Sequence, residues 1–186
     1  MSRSRRQPER ILVVGGARCV WDDLNLVPAE YREGHVMCVN DMGMYYPGRF
    51  QHWYSNDNPK LKHWYEGRRD SNRITNGRDI KLHSSVHVKK VGGVEYHDVP
   101  IQGSSGLAAC YVALLLGYTD VLMAGIPFDD SGHFYDPPLS HWTWQNRQER
   151  YQGSHFLNES PDRTLKNAKN ILGDKVTAVS GRWSSL

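Results

Sequence analysis

The chain has 186 residues, 39% of them hydrophobic, and 23 Lys and Arg against 20 Asp and Glu give a formal charge of +3. That length is enough for one domain with a sizeable core, and the composition excludes disorder, collagen and coiled coil for most of the chain. The longest apolar runs, such as residues 107–116, are too short to cross a bilayer as a helix.

The charge is unevenly placed. Residues 1–10 hold Arg3, Arg5, Arg6 and Arg10 against Glu9, so the whole excess lies there and the remainder is neutral, 19 against 19. We expect a basic flexible tail over 1–10, with no secretion-signal core behind it, and one domain over 11–186. Within the domain, residues 60–90 carry nine basic and three acidic side chains, and residues 91–147 one basic and six acidic. A basic face suits nucleic acid, but a solvated helix and loop account for it more simply, and nucleic acid is not favoured as a partner. Cys19, Cys38 and Cys110 are scattered and odd in number, which fits reduced thiols in a cytoplasmic protein rather than a disulfide framework.

In chain order, Ile11-Leu-Val-Val-Gly-Gly predicts a buried parallel strand stopped by glycine. Asp22 and Asp23 suit the first turn of the helix that follows. Residues 35–41 and 50–57 predict two further strands with polar C-terminal ends, and 59–69 a helix. Residues 80–83 and 93–99 read as shorter strands. Gly103-Ser-Ser-Gly opens a helix over 107–116 that is apolar nearly all round and should be fully buried, with Gly117 ending it. Residues 120–125 form a strand running into a loop over 126–138. Helices are expected over 141–151 and 161–172, the latter with Ser160 as N-cap and Pro161 at its first position, and a last strand over 176–180. Strands alternating with helices predict a single Rossmann-like α/β domain, a mostly parallel sheet with helices on both faces.

Ligands of such sheets bind beyond the carboxyl ends of the strands. Those ends are polar throughout: Gly15-Gly16-Ala17-Arg18, Asn40-Asp41, Ser55-Asn56-Asp57-Asn58, His83-Ser84-Ser85 and the loop after Gly125. Gly15, Gly16, Ala17 and Arg18 lack the dinucleotide fingerprint yet offer close backbone approach beside a cation. Ser104, Ser105 and Gly106 put small residues and hydroxyls at a helix N-terminus, where an anion is favoured. Asp129, Asp130, His133, Tyr135 and Asp136 fall within eight residues, a set able to exchange protons or bind a metal. No metal is required by the spacing; if one is present, Asp129 and Asp130 are its candidates. His83 and His87 alternate with Val86 and Val88, which predicts a strand showing both to solvent. His155, in a loop ahead of a helix start, is a candidate base.

The segment from Gly103-Ser-Ser-Gly through Leu116-Gly-Tyr to Gly125-Ile-Pro-Phe resembles the central part of bacterial sialyltransferases of glycosyltransferase family 42. It is also similar to the Rossmann-like superfamily typified by archaeal hydroxymethylpterin pyrophosphokinase. Val14-Gly-Gly-Ala, Trp21-Asp-Asp-Leu and Val39-Asn-Asp look like the nucleotide-binding half of these proteins. The resemblance implies a cytidine nucleotide across Gly15–Arg18, Asn40, Asn56 and Ser104–Gly106, a histidine base without metal, and tyrosines on the departing phosphate. His155 takes the base position, with His133 and Tyr135 near the leaving group. Asp129 and His133 stand where the resemblance leads one to expect tyrosines. The reading is a nucleotide-binding transferase, glycosyltransferase-like, using a nucleotide-activated sugar donor and a hydroxyl acceptor, with homo-oligomerisation open. Two alternatives remain. One is a metal-dependent diphosphate-transferring enzyme with Mg²⁺ on Asp129 and Asp130; the other is a non-catalytic nucleotide or nucleic-acid-binding protein.

Overall fold

β1 (Arg10–Val14) shows why the sheet sits where it does. Ile11 and Val13 face one side, Leu12 and Val14 the other, and all four are fully buried, as the two-residue period of a strand covered on both faces requires. The computed structural model describes residues 9–70, 80–85, 90–101, 103–129, 131–136 and 161–186. β1 pairs in parallel with β2 (His35–Val39) on one edge and β6 (Asp120–Ala124) on the other. Beyond β2 follow β3 (His52–Tyr54), β4 (Lys81–Ser84) and β5 (Val94–Tyr96), and beyond β6 lies β7 (Val176–Ala178). The order is β5-β4-β3-β2-β1-β6-β7, every pair parallel. β2, β3, β5, β6 and β7 are shorter than expected, yet just past β2 and β3 the amides of Asn40 and Ser55 still donate to Tyr54 O and His83 O, at 2.8 and 3.1 Å.

α5 (Ser105–Leu115) and α6 (Pro161–Leu172) cover one face, where Leu107, Val112, Leu165 and Trp183 pack on Ile11, Val13 and Met37. α1 (Val20–Leu26), α2 (Ala29–Arg32), α3 (Met42–Tyr45) and α4 (Asn58–Asp70) cover the other through Val20, Tyr31, Met42 and Leu61. α2 and α3 were not foreseen; four-residue helices carry too little periodicity to be read. α5 begins two residues earlier than predicted, with Ser104 accepting from Leu107 N at 3.3 Å as its cap. It is buried over 106–110 but emerges at its far end, where Leu115 is 52% exposed. Gly117, at φ +96°, ends it: Gly117 N donates to Leu114 O and Tyr118 N to Ala113 O, the paired bonds of a Schellman turn. No helix among the described residues is long and apolar enough to cross a membrane. The three cysteines are free thiols. The expected helix over 141–151 lies outside the described residues.

Two charged or polar groups expected at the surface are internal. His83 is buried, facing the α5 side of the sheet, because the register Tyr54↔His83 puts it on the same face as the buried Tyr54. His87 lies outside the described residues. Arg68, one of the basic side chains of the 60–90 stretch, is 4% exposed and donates to Gly43 O at 2.7 Å and Tyr46 O at 3.0 Å. It thereby ties α4 to the α3 turn, and its guanidinium stacks 4.8 Å from the Phe50 ring centroid. Arg68→Met keeps the apolar stem but strands those carbonyls, so a loss of about 2–3 kcal/mol in unfolding free energy is expected from chemical denaturation. A stability within 0.5 kcal/mol of the parent protein would contradict it.

Candidate functional site

The polar strand ends meet in a cleft of about 730 Å³ at the carboxyl edge of the sheet, lined by residues that include Asn40, Asp41, Asn56, Ser105, His133 and Tyr135. The strand order reverses between β1 and β6, the place where an open α/β sheet leaves a crevice. A glycine contact holds this point together. Gly125 has φ +66°, and a Cβ on Gly15 would stand 2.6 Å from Gly125 O. Asp23 is buried, and its carboxylate accepts from Gly125 N at 2.7 Å. The acidic residue read from sequence as a helix-dipole partner thus also anchors the end of β6.

Asn40 and Asn56 are held in defined orientations. Asn40 has φ +52°, a region asparagine tolerates better than most residues. Its backbone O accepts from Trp53 Nε1 at 2.5 Å and its Oδ1 from Ser55 Oγ at 2.9 Å. Asn56 Oδ1 accepts from Tyr54 OH at 2.6 Å and Ser85 Oγ at 2.7 Å. Burial pushes the Tyr54 hydroxyl up to about 12, so it stays a donor. In both asparagines the oxygen is occupied and the Nδ2 donor has no partner among the described residues. Two fixed amide donors thus remain on the cleft wall.

The loop over 131–136 forms another wall and is laced to the first turn. Ala17 and His133 form an antiparallel bridge, Phe134 N donates to Gly16 O at 3.1 Å, and Arg18 N donates to Gly132 O at 3.0 Å. Arg18 Nε donates to Ser131 O and Nη2 to Asp136 O, at 3.0 and 3.2 Å. The amides of Gly15, Ala17 and Arg18 therefore already have acceptors (Ala124 O, Gly125 O and Gly132 O), and the first turn braces the loop. Inside it, the His133 ring stacks on Tyr135, 5.1 Å between centroids and 10° from parallel. His133 N donates to Asp136 Oδ2 at 2.8 Å. The Tyr135 hydroxyl donates to Asp41, and burial, then that carboxylate, pushes its pKa far up, so Tyr135 remains protonated at neutral pH.

Sequence reading brought Asn40, Asn56, Ser105, His133 and Tyr135 to this cleft, and the structure gathers all five there. Gly106 sits behind it: a Cβ at that position would stand 2.8 Å from Ile126 Cγ2. Asp129 Oδ1 accepts from Ser131 N and Oγ, at 2.9 and 2.5 Å, and so closes its own turn. Asp130 and His155 lie outside the described residues. Lys60 and Trp64 of α4 also line the cleft; Lys60 was not singled out from sequence, where the 60–90 charge run was the signal, and it is where that run reaches the crevice. Lys60 Nζ pairs with Asp57 Oδ2 at 2.8 Å, which offsets that carboxylate at the wall.

No protein-family model and no curated protein matches the sequence. The fold is similar to solved structures of the sialyltransferase CST-II. A point variant in complex with CMP aligns at TM-score 0.57 and 14% identity, over 92% of this chain and 81% of that one. The enzyme with a trisaccharide acceptor and CMP aligns at TM-score 0.53 and 14% identity, over 91% and 80%. CstII from Campylobacter jejuni with the substrate analogue CMP-3FNeuAc aligns at TM-score 0.53 and 14% identity, over 92% and 81%. At that identity the shared property is the fold.

Proposed function

We propose that the chain is a glycosyltransferase-like transferase that takes a cytidine nucleotide-sugar as donor and a hydroxyl group as acceptor. The observation that carries this reading is the pair Asn40 and Asn56, whose side-chain oxygens are tied down and whose amide donors remain on the cleft wall. A cytidine nucleotide presents the matching acceptors: ring carbonyl and nitrogen, and phosphate oxygens. Ser105 adds a helix start to the wall, where backbone N–H groups lack helical partners. The likeness of fold to proteins crystallised with CMP supports the same donor class.

On this reading His155 removes the acceptor hydroxyl proton, and the freed oxygen bonds to the anomeric carbon of the sugar. The bond from that carbon to the phosphate oxygen breaks, and its electron pair leaves with the nucleoside monophosphate. Tyr135, kept protonated by burial and Asp41, and His133 beside it act as donors to the departing phosphate. Each such donor acts where negative charge develops.

Calorimetric titration with CMP and with CMP-sugars tests the proposal. Saturable binding is expected, weakened roughly 10-fold by Asn56→Ala, the loss of one hydrogen bond to a charged or polar ligand. His155→Ala should lower turnover at least about 100-fold while leaving CMP affinity unchanged. Folded protein that binds neither ligand would end the reading.

A further inference from the structure

Across the α5 face of the sheet, away from the cleft wall, runs a line of imidazoles. His35 Nδ1 meets the Tyr118 hydroxyl at 2.5 Å, and that hydroxyl meets His52 Nε2 at 2.9 Å. His52 Nδ1 meets His83 Nε2 at 2.9 Å, and His83 Nδ1 meets His97 Nε2 at 3.0 Å. Strand geometry makes the line. His52 and Tyr54 share a face, Tyr54 is in register with His83, and His83 is in register with Glu95. His97 follows Glu95 by two and returns to the same side. Three ligand-type groups thus converge at the outer end: His83, Glu95 and His97, with one ligand atom from each all within 4.8 Å of one another.

We propose that His83, Glu95 and His97 form a binding site for a divalent transition metal of the zinc type, with solvent in the fourth position. The site goes beyond the transferase reading and does not depend on it. Zinc bonds of about 2.0–2.1 Å in a tetrahedron set ligand atoms about 3.3 Å apart. Here His83 Nδ1 lies 3.0 Å from His97 Nε2 and 3.6 Å from a Glu95 carboxylate oxygen. Two imidazoles and a carboxylate suit zinc, cobalt or nickel rather than magnesium or calcium, which prefer all-oxygen shells. Glu95, with its side chain 55% exposed, keeps the site open to ions, whereas His83 is fully buried and supplies its rigid end.

The rest of the line has the polarity a metal-binding histidine needs. With the metal on His83 Nδ1, His83 Nε2–H donates to His52 Nδ1, His52 Nε2–H donates to Tyr118 O, and the Tyr118 hydroxyl donates to His35 Nδ1. Every link then has one donor and one acceptor, and the ring of His83 is oriented by a partner behind it. Without metal, His97 Nε2–H donates to His83 Nδ1. Metal entry replaces that hydrogen bond, and the His97 proton moves to Nδ1, so no proton is released at neutral pH. Of the candidates read from sequence, Asp129 is not part of this group, and Asp130 lies outside the described residues. The ion would pin β5, a three-residue edge strand, to β4.

The test uses the full chain, stripped with chelator and titrated with Co²⁺ and with Zn²⁺. Uptake of one ion per chain is expected, with visible Co²⁺ bands of a four- or five-coordinate site and a Zn²⁺-dependent rise in melting temperature. His97→Gln and Glu95→Gln are the variants, since both lie at the accessible end and spare the buried His83. Each should weaken uptake at least 10-fold and abolish the thermal shift, with an unchanged far-ultraviolet dichroism spectrum. Absence of stoichiometric uptake overturns the proposal, and so does uptake that both variants leave intact, which would locate the ion on other histidines.

Discussion

Chelator-treated protein is expected to lose its resistance to urea steeply between pH 6.5 and 4.5. Burial, then neighbouring imidazoles and Lys81, lower His52 to about 4 and His83 to about 3, against an ordinary value of 6.5. His35, His97 and Lys81 face these rings, and Glu95, exposed at the outer end, is the nearby carboxylate. In the fold both rings resist protonation, whereas the unfolded chain takes up protons below about pH 6.5. Their contribution is therefore complete above the unfolded value and is lost as pH falls toward the folded one. By pH 4.5 the pair removes on the order of 3–5 kcal/mol, a large share of the roughly 5–15 kcal/mol typical of a domain. His83→Gln should flatten the urea midpoint against pH in this window, where most carboxylates have not yet titrated. A midpoint unchanged from pH 7 to 4.5 would refute the argument.

Gly125→Ala is expected to be strongly damaging for so small a change at the β1–β6 junction. The residue has φ +66°, and its new Cβ would lie 2.4 Å from Gly15 O and 2.8 Å from Val20 Cβ. Backbone strain and a forced shift at the β1–β6 junction together cost about 2–4 kcal/mol. They also displace the amide that Asp23 accepts, so CMP binding should fall with stability. Gly16→Ala is the control. Its Cβ would meet Asp41 Oδ1 and His133 Cδ2 no closer than 3.7 Å, so its denaturation midpoint should stay close to that of the parent protein. Equal losses in the two variants would show that the junction is not the cause.

Much of the architecture was legible because parallel strands buried on both faces announce themselves as short apolar runs ended by glycine or polar residues. β1, β2 and β6 are of this kind. The polar strand ends pointed to Asn40 and Asn56 before any pairing was known, since ligands of such sheets gather at one edge. Lys60 escaped because a helix at the rim has no local mark separating it from a solvated one. The histidine line was illegible for a different reason. It exists only when β3, β4 and β5 are in register, and the spacing of His83 and His87 within a single segment suggested the opposite face. Arg68 shows the same limit: a basic residue on a polar helix, with mean burial set by a distant turn.

The β1–β6 ladder joins residues 110 apart in sequence, as the Arg10–Asp120 pair at 3.0 Å illustrates. β1 and β2 pair across a short connection, so during synthesis one edge of the central strand is satisfied early. Its other edge stays open until Ala124 has left the ribosome. For that interval the nascent chain carries an apolar strand with free N–H and C=O groups, the kind of surface that recruits other chains. Chains ending before β6 should therefore aggregate, and pulse-labelled hydrogen exchange should find Ile11 and Val13, whose amides alternate with that of Leu12 and face β6 as Gly15 N does, protected late, since pairing so remote is slow to close.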